Sequence, residues 1–429
     1  MVRELVGKEE IPPFYEIGYD LPFRKLEGIR ERLGEEFLRT GATAQIRRGD
    51  NVAITAGSRE ITDITKILRF LVELVKERGA FPYIVAAMGS HGGATGEGQR
   101  EVLSGYGICE ETMGCPIVSE MDTELVGKTE QGLDVYMDRF AAQCDGIIIV
   151  GRVKPHTDFK GPVESGLAKM IAIGLGKQQG AELCHKLGFS RMSENVSRMA
   201  RVVLEKKPVI FGVAILEDAF HHTAKLEVIL PEDFEERERE LLKEAKTLIP
   251  RIPYDKIDIL VVDEIGKNIS GAGMDPNITG RSPRLGIGPP YAERIAVLGI
   301  CAGSHGAGTG IGNADVITRK AFDAFDFDMT YPNAITSNDP ESVKLPAVMP
   351  GDREAIQFAM SVLMGDREGR VPKIVWIKNT NELQRFFVTE SLLEETGQSG
   401  KLQVLGGPKN ALFDKEGYVK GWEEAGRPE

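Results

Sequence analysis

The stretch NVAITAGSREITDITKILRFLVELVKERGAFPYIVAAMGSHGG, residues 51–93, decides the fold of this chain. It opens with a short apolar run and a Gly-Ser-Arg loop. Apolar residues then recur three and four apart from Ile64 to Val75, which is the spacing of an amphipathic helix. A second apolar run ends at a glycine-rich loop that contains His91. This alternation predicts a parallel sheet whose loops gather at its carboxyl edge, where open α/β folds bind their ligands.

The length of the chain, 429 residues, exceeds what one ordinary core holds, so two domains are expected. The paired prolines of Pro250-Arg251-Ile252-Pro253 resist both helix and strand and mark a boundary. We therefore predict an α/β fold of two α/β domains with mainly parallel sheets and the active site in the cleft between them. The predicted extents are 1–250 for a catalytic domain, 254–405 for a smaller domain, and 406–429 for a tail that could pack back on the first domain.

Composition narrows the class of protein. A formal net charge of −12 argues against a broad nucleic-acid surface, which needs clustered Lys and Arg. No apolar run approaches the roughly 20 residues of a membrane span, and the first residues lack an apolar signal core. The five cysteines have no paired spacing, so no disulfide framework or zinc ribbon is indicated. These features predict a cytoplasmic protein without nucleic-acid or membrane partners, and a homo-oligomer stays open.

A second stretch, residues 150–185, concentrates chemistry-bearing side chains: VGRVKPHTDFKGPVESGLAKMIAIGLGKQQGAELCH. It holds two of the six histidines, His156 and His185, and places Lys169 inside an apolar segment. A lysine there is costly unless it is paired or modified, although snorkelling to solvent is an alternative. Together with His91, these histidines follow strand ends or lie beyond one, and imidazole suits proton transfer near neutral pH. The alternative is that they are loop histidines with structural hydrogen bonds.

Other signals are weaker. Arg59 lies between a strand and a helix N-terminus, where it could bind a carboxylate or phosphate, or be an ordinary loop arginine. His221-His222 is expected on a surface loop, and His305 lies in GSHGAGTG, an echo of GSHGGATG at His91. No Walker A, GxSxG or HExxH sequence is present. The residues alone thus predict a two-domain α/β enzyme with a histidine site.

The combination of Arg59, Gly89-Ser90-His91-Gly92, Pro155-His156, Lys169 and His185 resembles the nickel-dependent lactate racemase family. The resemblance extends over about residues 10–405. It implies an isomerase that racemises or epimerises a 2-hydroxy acid by proton-coupled hydride transfer to a nickel pincer nucleotide, pyridinium-3,5-bisthiocarboxylic acid mononucleotide nickel. The implied partners are the hydroxy acid and the cofactor-synthesis enzymes, without which recombinant protein would lack the cofactor.

The resemblance also implies a role for each site residue. Lys169 would carry the cofactor covalently, and His185 would ligate its nickel. His91 and His156 would be the two acid/base groups. Arg59 would hold the substrate carboxylate and contact the cofactor. The further contacts implied are Ser58 and Gly92 for the cofactor, and Lys160, Asp275, Asn277, Arg281 and Arg284 for the substrate.

Departures from the family pattern concern the substrate. Ala56 stands where the family often has an aspartate, and the loop between His156 and Lys169 is longer than in the lactate enzymes. Thr279 and Gly280 stand where those enzymes carry tyrosine and glutamine. We therefore predict a larger or more polar 2-hydroxy acid, such as a sugar acid or a hydroxy-diacid. Two alternatives stay open: a metal-dependent isomerase or hydro-lyase acting on sugar acids, and a non-catalytic small-molecule binding protein.

Overall fold

The computed structural model describes residues 2–186, 188–365 and 369–424. The chain forms two compact units. Named by their order along the chain, the inner unit is Pro22–Ile249, and the outer unit combines the preceding Met1–Leu21 with the following Pro250–Glu429. This division differs from the predicted one at its first 21 residues, which belong to the outer unit.

Short elements of the outer unit come first in the chain, α1 (Val2–Val6) and β1 (Phe14–Tyr19). The inner unit then follows without interruption. Its helices and strands are α2 (Ile29–Thr40), β2 (Asn51–Ala56), α3 (Ile64–Glu77), β3 (Phe81–Ala86), α4 (Gly96–Gly105), α5 (Glu110–Met113), β4 (Ile117–Val118), β5 (Thr123–Lys128), β6 (Asp134–Asp138), α6 (Arg139–Ala142), β7 (Gly146–Arg152), α7 (Leu167–Lys169), α8 (Lys177–Lys186), α9 (Met192–Lys206), β8 (Val209–Glu217), β9 (Thr223–Ile229) and α10 (Phe234–Leu248).

The main sheet of the inner unit has the strand order β4-β3-β2-β7-β8-β9. All neighbours are parallel except β8 and β9. Successive residues of β7 enter different cores: Ile147 and Ile149 pack on one face, and Ile148 and Val150 on the other. Both faces are apolar because helices cover both, which explains why the strands are apolar runs rather than alternating patterns.

The strand order also determines which loops are neighbours. From β2 the chain moves outward to β3 in one direction, whereas β7 lies on the other side of β2. This is the switch point of an open parallel sheet, and the loops that follow β2, β3 and β7 leave its carboxyl edge side by side. The stretches that carry Arg59, His91 and His156 are these three loops.

The outer unit is built on a nine-stranded sheet with the order β15-β14-β13-β10-β16-β17-β1-β18-β19. The first five strands are parallel to one another and the rest pair antiparallel. Its remaining elements are β10 (Lys256–Val262), α11 (Pro276–Thr279), β11 (Arg281–Ser282), β12 (Gly286–Ile287), β13 (Tyr291–Val297), β14 (Val316–Thr318), α12 (Arg319–Asp323), α13 (Phe327–Thr336), β15 (Ala347–Met349), α14 (Asp352–Ser361), β16 (Ile374–Ile377), β17 (Arg385–Thr389), α15 (Leu393–Gln398), β18 (Leu402–Phe413) and β19 (Val419–Glu424).

The described part of the C-terminal segment, residues 406–424, belongs to this outer sheet, and packing of the tail 406–429 on the first domain stays a prediction. β18 pairs with β1 on one side and with β19 on the other. Trp422 on β19 stacks on Phe387 with ring centroids 3.9 Å apart, and its ring meets Phe14 edge-on at 5.5 Å. These aromatic contacts anchor the described part of the tail.

The prediction of an α/β fold is confirmed. The inner sheet is mainly parallel and the outer sheet is mixed. Among the described helices, none combines the length and apolar character needed to cross a membrane.

Candidate active site

Loops from the carboxyl edge of the inner sheet converge on the segment that carries Lys169. A Cβ on Gly57, after β2, would lie 2.9 Å from Cε of Met170. The N–H of Gly89, after β3, donates to the carbonyl oxygen of Gly174 at 3.2 Å. The chain that leaves β7 reaches this segment through the loop that carries His156. The glycines therefore permit the close approach that assembles the site.

The helix that carries Lys169 has an unusual form. α7 ends at Lys169, and Met170–Leu175 continue as a π-helix, a form that is rare and frequent at functional sites. Glu238 of α10 accepts a hydrogen bond from the N–H of Ala168 at 2.9 Å, and burial raises the pKa of Glu238 to about 7. A Cβ on Gly166 would lie only 2.3 Å from Glu238 Oε1. α10 thus fixes the start of the lysine-bearing helix.

Lys169 has a much weakened affinity for its proton. Burial, followed by the charge of Arg59, lowers the pKa of Lys169 to about 7, although Asp158 opposes the shift. The ammonium nitrogen lies 6.0 Å from the centroid of the Phe159 ring. At neutral pH a large fraction of the side chain is therefore the neutral, nucleophilic amine.

This pKa predicts how the unmodified protein reacts with an acylating reagent. The rate at Lys169 should rise up to about pH 7 and level off above it, because only the neutral amine attacks. An ordinary lysine, with a pKa near 10.4, should gain about tenfold per unit between pH 5 and 9. Competitive labelling followed by peptide mass spectrometry measures both, with the exposed Lys66 as the internal reference. Parallel profiles for the two lysines would contradict the lowered pKa.

His156 is held in one tautomer. The N–H of Asp158 donates to Nδ1 at 3.0 Å, and the ring stacks on Phe159 with centroids 4.2 Å apart. Because an N–H can only donate, Nδ1 carries the lone pair, and the neutral ring has its hydrogen on Nε2. Burial, followed by the charge of Lys169, holds the pKa of His156 well below its usual range. The ring is therefore neutral while Lys169 is unmodified.

His91 is held in the opposite tautomer. Its Nδ1 lies 2.8 Å from the carbonyl oxygen of Met88. A carbonyl only accepts, so Nδ1 carries the hydrogen and the lone pair of the neutral ring is on Nε2. The imidazole is exposed. At Nε2, His91 therefore has a lone pair that can accept a proton, whereas His156 has an N–H.

The long loop between His156 and Lys169 is anchored by Glu164. This fully buried carboxylate accepts from the N–H of His156 at 2.7 Å and from Nζ of Lys246 on α10 at 2.7 Å. Lys160, predicted to contact substrate, donates to the carbonyl oxygen of His156 at 3.1 Å. The extra length is thus a fixed part of the site, and Lys160 lies beside the catalytic candidate His156.

The loops after β2 and β3 also place the remaining cofactor candidates. Arg59 keeps access to solvent, and the protein around it lowers its pKa, chiefly by burial of the charged group. The carbonyl oxygen of Ser58 accepts from the Tyr106 hydroxyl at 2.9 Å. Gly92 has φ +66°, and a Cβ there would lie 2.5 Å from the carbonyl carbon of Gly98. Through their charges, Arg59 and Lys169 both act on His156, so the structure brings these three residues together.

His185 lies near the end of α8, and its ring stacks on Phe189 with centroids 5.4 Å apart. The neighbouring Cys184 is fully buried, and burial raises the pKa of its thiol to about 12. That thiol stays protonated and is a poor metal ligand. Within the described residues, no group of three or more His, Cys, Asp or Glu could hold a metal ion. The protein donor available at this position is therefore a single imidazole.

The predicted substrate residues of the outer unit make structural contacts in their own loop. Asp275 caps α11 by accepting from the N–H of Asn277 at 2.8 Å, and the Asn277 amide donates to the same carboxylate. Arg281 pairs with Asp315 and donates to the carbonyl oxygen of Ala292 at 2.8 Å. A substrate role for these residues stays a prediction.

Several buried polar residues that support these loops were not found by sequence reasoning. For Lys177 the sequence did offer a signal, because this lysine comes directly after the apolar segment that follows Lys169. The five residues are Gln99, Asp138, Glu164, Lys177 and Glu238.

Residues 27–197 match the family model of the lactate racemase N-terminal domain. The matched segment lies within the inner unit and includes all the residues on which the resemblance rested. Residues 27–197 are thus similar to a lactate racemase N-terminal domain, which agrees with the resemblance predicted from the sequence. This match supports a racemase-type function, which is an isomerase activity.

Among solved structures, the chain is similar to the lactate racemase apoprotein from Thermoanaerobacterium thermosaccharolyticum. The identity is 16%, the match covers 68% of this chain and 75% of that one, and the TM-score is 0.47. That similarity has no weight in assigning the site. No curated protein matches the chain.

Proposed function

We propose that this protein is a racemase or epimerase of a 2-hydroxy acid that works by proton-coupled hydride transfer with a nickel pincer nucleotide. The observation that carries the proposal is the lysine with a pKa of about 7, set among loops that hold two histidines in opposite tautomers. These groups lie in the segment that matches the lactate racemase domain.

The residues present fit such a cofactor. The neutral amine of Lys169 would condense with one thiocarboxylic acid group of the cofactor, with loss of water, to a thioamide. This amide-type linkage keeps the sulfur donor and removes a charge that burial penalises. His185 supplies one imidazole, and a pincer supplies soft sulfur donors of its own, so a protein cluster of metal ligands is not required. When bound, the nickel pincer nucleotide supplies a hydride acceptor for the α-carbon of the substrate.

The protein residues would then bind the substrate and move its hydroxyl proton. Arg59 holds the carboxylate through its guanidinium. His91 accepts the hydroxyl proton of one enantiomer at Nε2, where its lone pair lies. His156 serves the opposite enantiomer in its other tautomer, in which Nδ1 carries the hydrogen, the hydrogen bond from the Asp158 N–H is released, and Nε2 has the lone pair. Amide formation at Lys169 removes the largest neighbouring charge that lowers the pKa of His156, so this histidine gains the ability to hold and release a proton.

The alternatives have less support. A hydro-lyase or isomerase that uses a plain divalent metal needs a set of protein ligands, and the described residues offer no such set. A binding protein without catalysis gives no reason for a lysine with so low a pKa beside His156.

The test is racemisation in D₂O by protein produced together with the cofactor-synthesis enzymes. Single enantiomers of lactate, of sugar acids and of hydroxy-diacids are supplied, and the products are analysed by chiral separation and mass spectrometry. We expect inversion of one class without deuterium at the α-carbon, because hydride is returned without exchange. Abstraction of the α-hydrogen as a proton would instead wash in solvent deuterium.

Inversion with full deuterium incorporation would contradict hydride transfer. Absence of inversion for every substrate, by protein whose mass shows the adduct, would contradict the proposed function. Protein made without the synthesis enzymes is the matched control, and it should be inactive.

A further inference from the structure

Lys177, the first residue of α8, is a fully buried lysine in a strained backbone conformation. Its φ is +53°, in the left-handed region that side chains with a Cβ avoid. It follows the π-helix and Gly176, so it stands where the chain turns from the segment of Lys169 into the helix of His185. A conformation of this kind persists where surrounding contacts determine it.

The contacts of the Lys177 ammonium group match its three hydrogens. Nζ lies 2.6 Å from the carbonyl oxygen of Ala86 at the end of β3 and 3.3 Å from Oε1 of Gln99. It also forms an ion pair with Asp138 at 3.1 Å, which is less well directed than a hydrogen bond. Asp138 in turn accepts from the N–H of Ala141. Burial lowers the pKa of Lys177, and the charge and hydrogen bond of Asp138 oppose that shift. Three acceptors therefore surround one buried lysine.

Gln99 transmits this contact to His91. Its Nε2 donates to the carbonyl oxygens of Gly89 at 3.0 Å and of His91 at 3.3 Å. An ammonium group only donates and a carbonyl only accepts, so the orientation of the buried amide is fixed on both sides. Lys177 therefore holds the backbone of the His91 loop through one intermediate side chain.

The same lysine lies on the helix that carries His185. Lys177, Ala181 and His185 are spaced four apart, which places them along one side of α8. Ala181 also packs against the loop, since a Cβ on Gly89 would lie 3.6 Å from its methyl group. One side of α8 thus contacts the loop of His91.

We propose that Lys177 is a positioning residue that sets His91 relative to α8 by way of Gln99. Its consequence for catalysis rests on the proposed function, but the placement of His91 can be measured in unmodified protein. Lys177 touches neither substrate nor cofactor in this proposal. It acts by fixing the imidazole whose Nε2 accepts the proton.

Two variants remove the link in different ways. Lys177→Met with Asp138→Asn removes the cation without leaving a buried charge unpaired. Gln99→Glu keeps an acceptor for Lys177 but places an oxygen against the two carbonyls. The control is Glu36→Gln, which alters a buried carboxylate of α2 that accepts from the N–H of Val228.

The readouts are hydrogen exchange of residues 88–93 and the ring nitrogen shifts of the histidines in ¹⁵N-labelled protein. We expect exchange at these amides to quicken by about tenfold or more in both variants and the Nδ1–H signature of His91 to weaken. In loaded enzyme, kcat should fall by roughly 100-fold with KM nearly unchanged. The control should match the wild type in every readout.

Folded variants with wild-type exchange and a wild-type His91 signal would overturn the proposal. If the double variant does not fold, Gln99→Glu decides by the same readouts. Altered exchange together with an inactive loaded wild type would refute the proposed function and leave the positioning of His91 by Lys177 supported.

Discussion

Replacing Lys169 with methionine is expected to abolish both the covalent adduct and turnover. Methionine has nearly the length of lysine but no amine, so no amide can form. Activity should fall by at least about 10³-fold, because the hydride acceptor is no longer held in place. The intact mass of protein made alongside the cofactor-synthesis enzymes reports the adduct, and chiral analysis reports turnover. Lys66→Met, a change on the exposed face of α3, should retain both.

The pH dependence of the free energy of unfolding shows whether Lys169→Met is inactive because it unfolds or because it lacks the attachment site. The folded pKa of Lys169 is about 7, below that of an unfolded lysine, so the unfolded chain binds more protons between these values. The unmodified wild type should therefore gain stability as pH rises above about 7, and Lys169→Met should lack this gain. An adduct that persists in Lys169→Met would place the attachment elsewhere.

His91→Asn and His156→Asn are expected to lower racemisation by about 10²- to 10⁴-fold each, the usual contribution of a general acid or base. Asparagine reproduces the structural hydrogen bond of each ring. Its amide can donate to the Met88 carbonyl in place of Nδ1–H of His91, and its oxygen can accept from the Asp158 N–H in place of Nδ1 of His156. Only the outer ring nitrogen is lost.

The decisive measurement is a single turnover with each enantiomer. Each variant should still oxidise the enantiomer whose hydroxyl proton is accepted by the histidine that remains, and release the 2-oxo acid on quenching. The two variants should have opposite preferences. Equal loss with both enantiomers in both variants would show that the histidines do not divide the two faces between them.

The inner unit could be predicted closely from sequence because its signals are local. Apolar runs ending in glycine-rich loops predicted β2, β3 and β7, and apolar spacing predicted α3. The candidate residues Arg59, His156 and Lys169 came from the same loops, and the structure brings them together.

The outer unit was less predictable because its pairings connect distant parts of the chain. Residues of β1 pair with partners more than 380 positions later, as in Glu16 and Gly406. Within β18 a Gly-Gly-Pro sequence interrupts any strand pattern, so the tail carried little signal. The role of Lys177 could not be predicted for a similar reason, because its buried partner Ala86 is 91 residues away in the sequence.

The pairing of β1 between β17 and β18 has a consequence for the order of events during synthesis. β1 is made before the other described strands, yet the residues with which it pairs lie more than 360 positions later in the chain. At about 5–20 residues per second, the interval is tens of seconds. During that time the continuous inner unit can fold, while β1 offers two unpaired edges. The nascent chain is therefore most exposed to misassembly at its oldest strand.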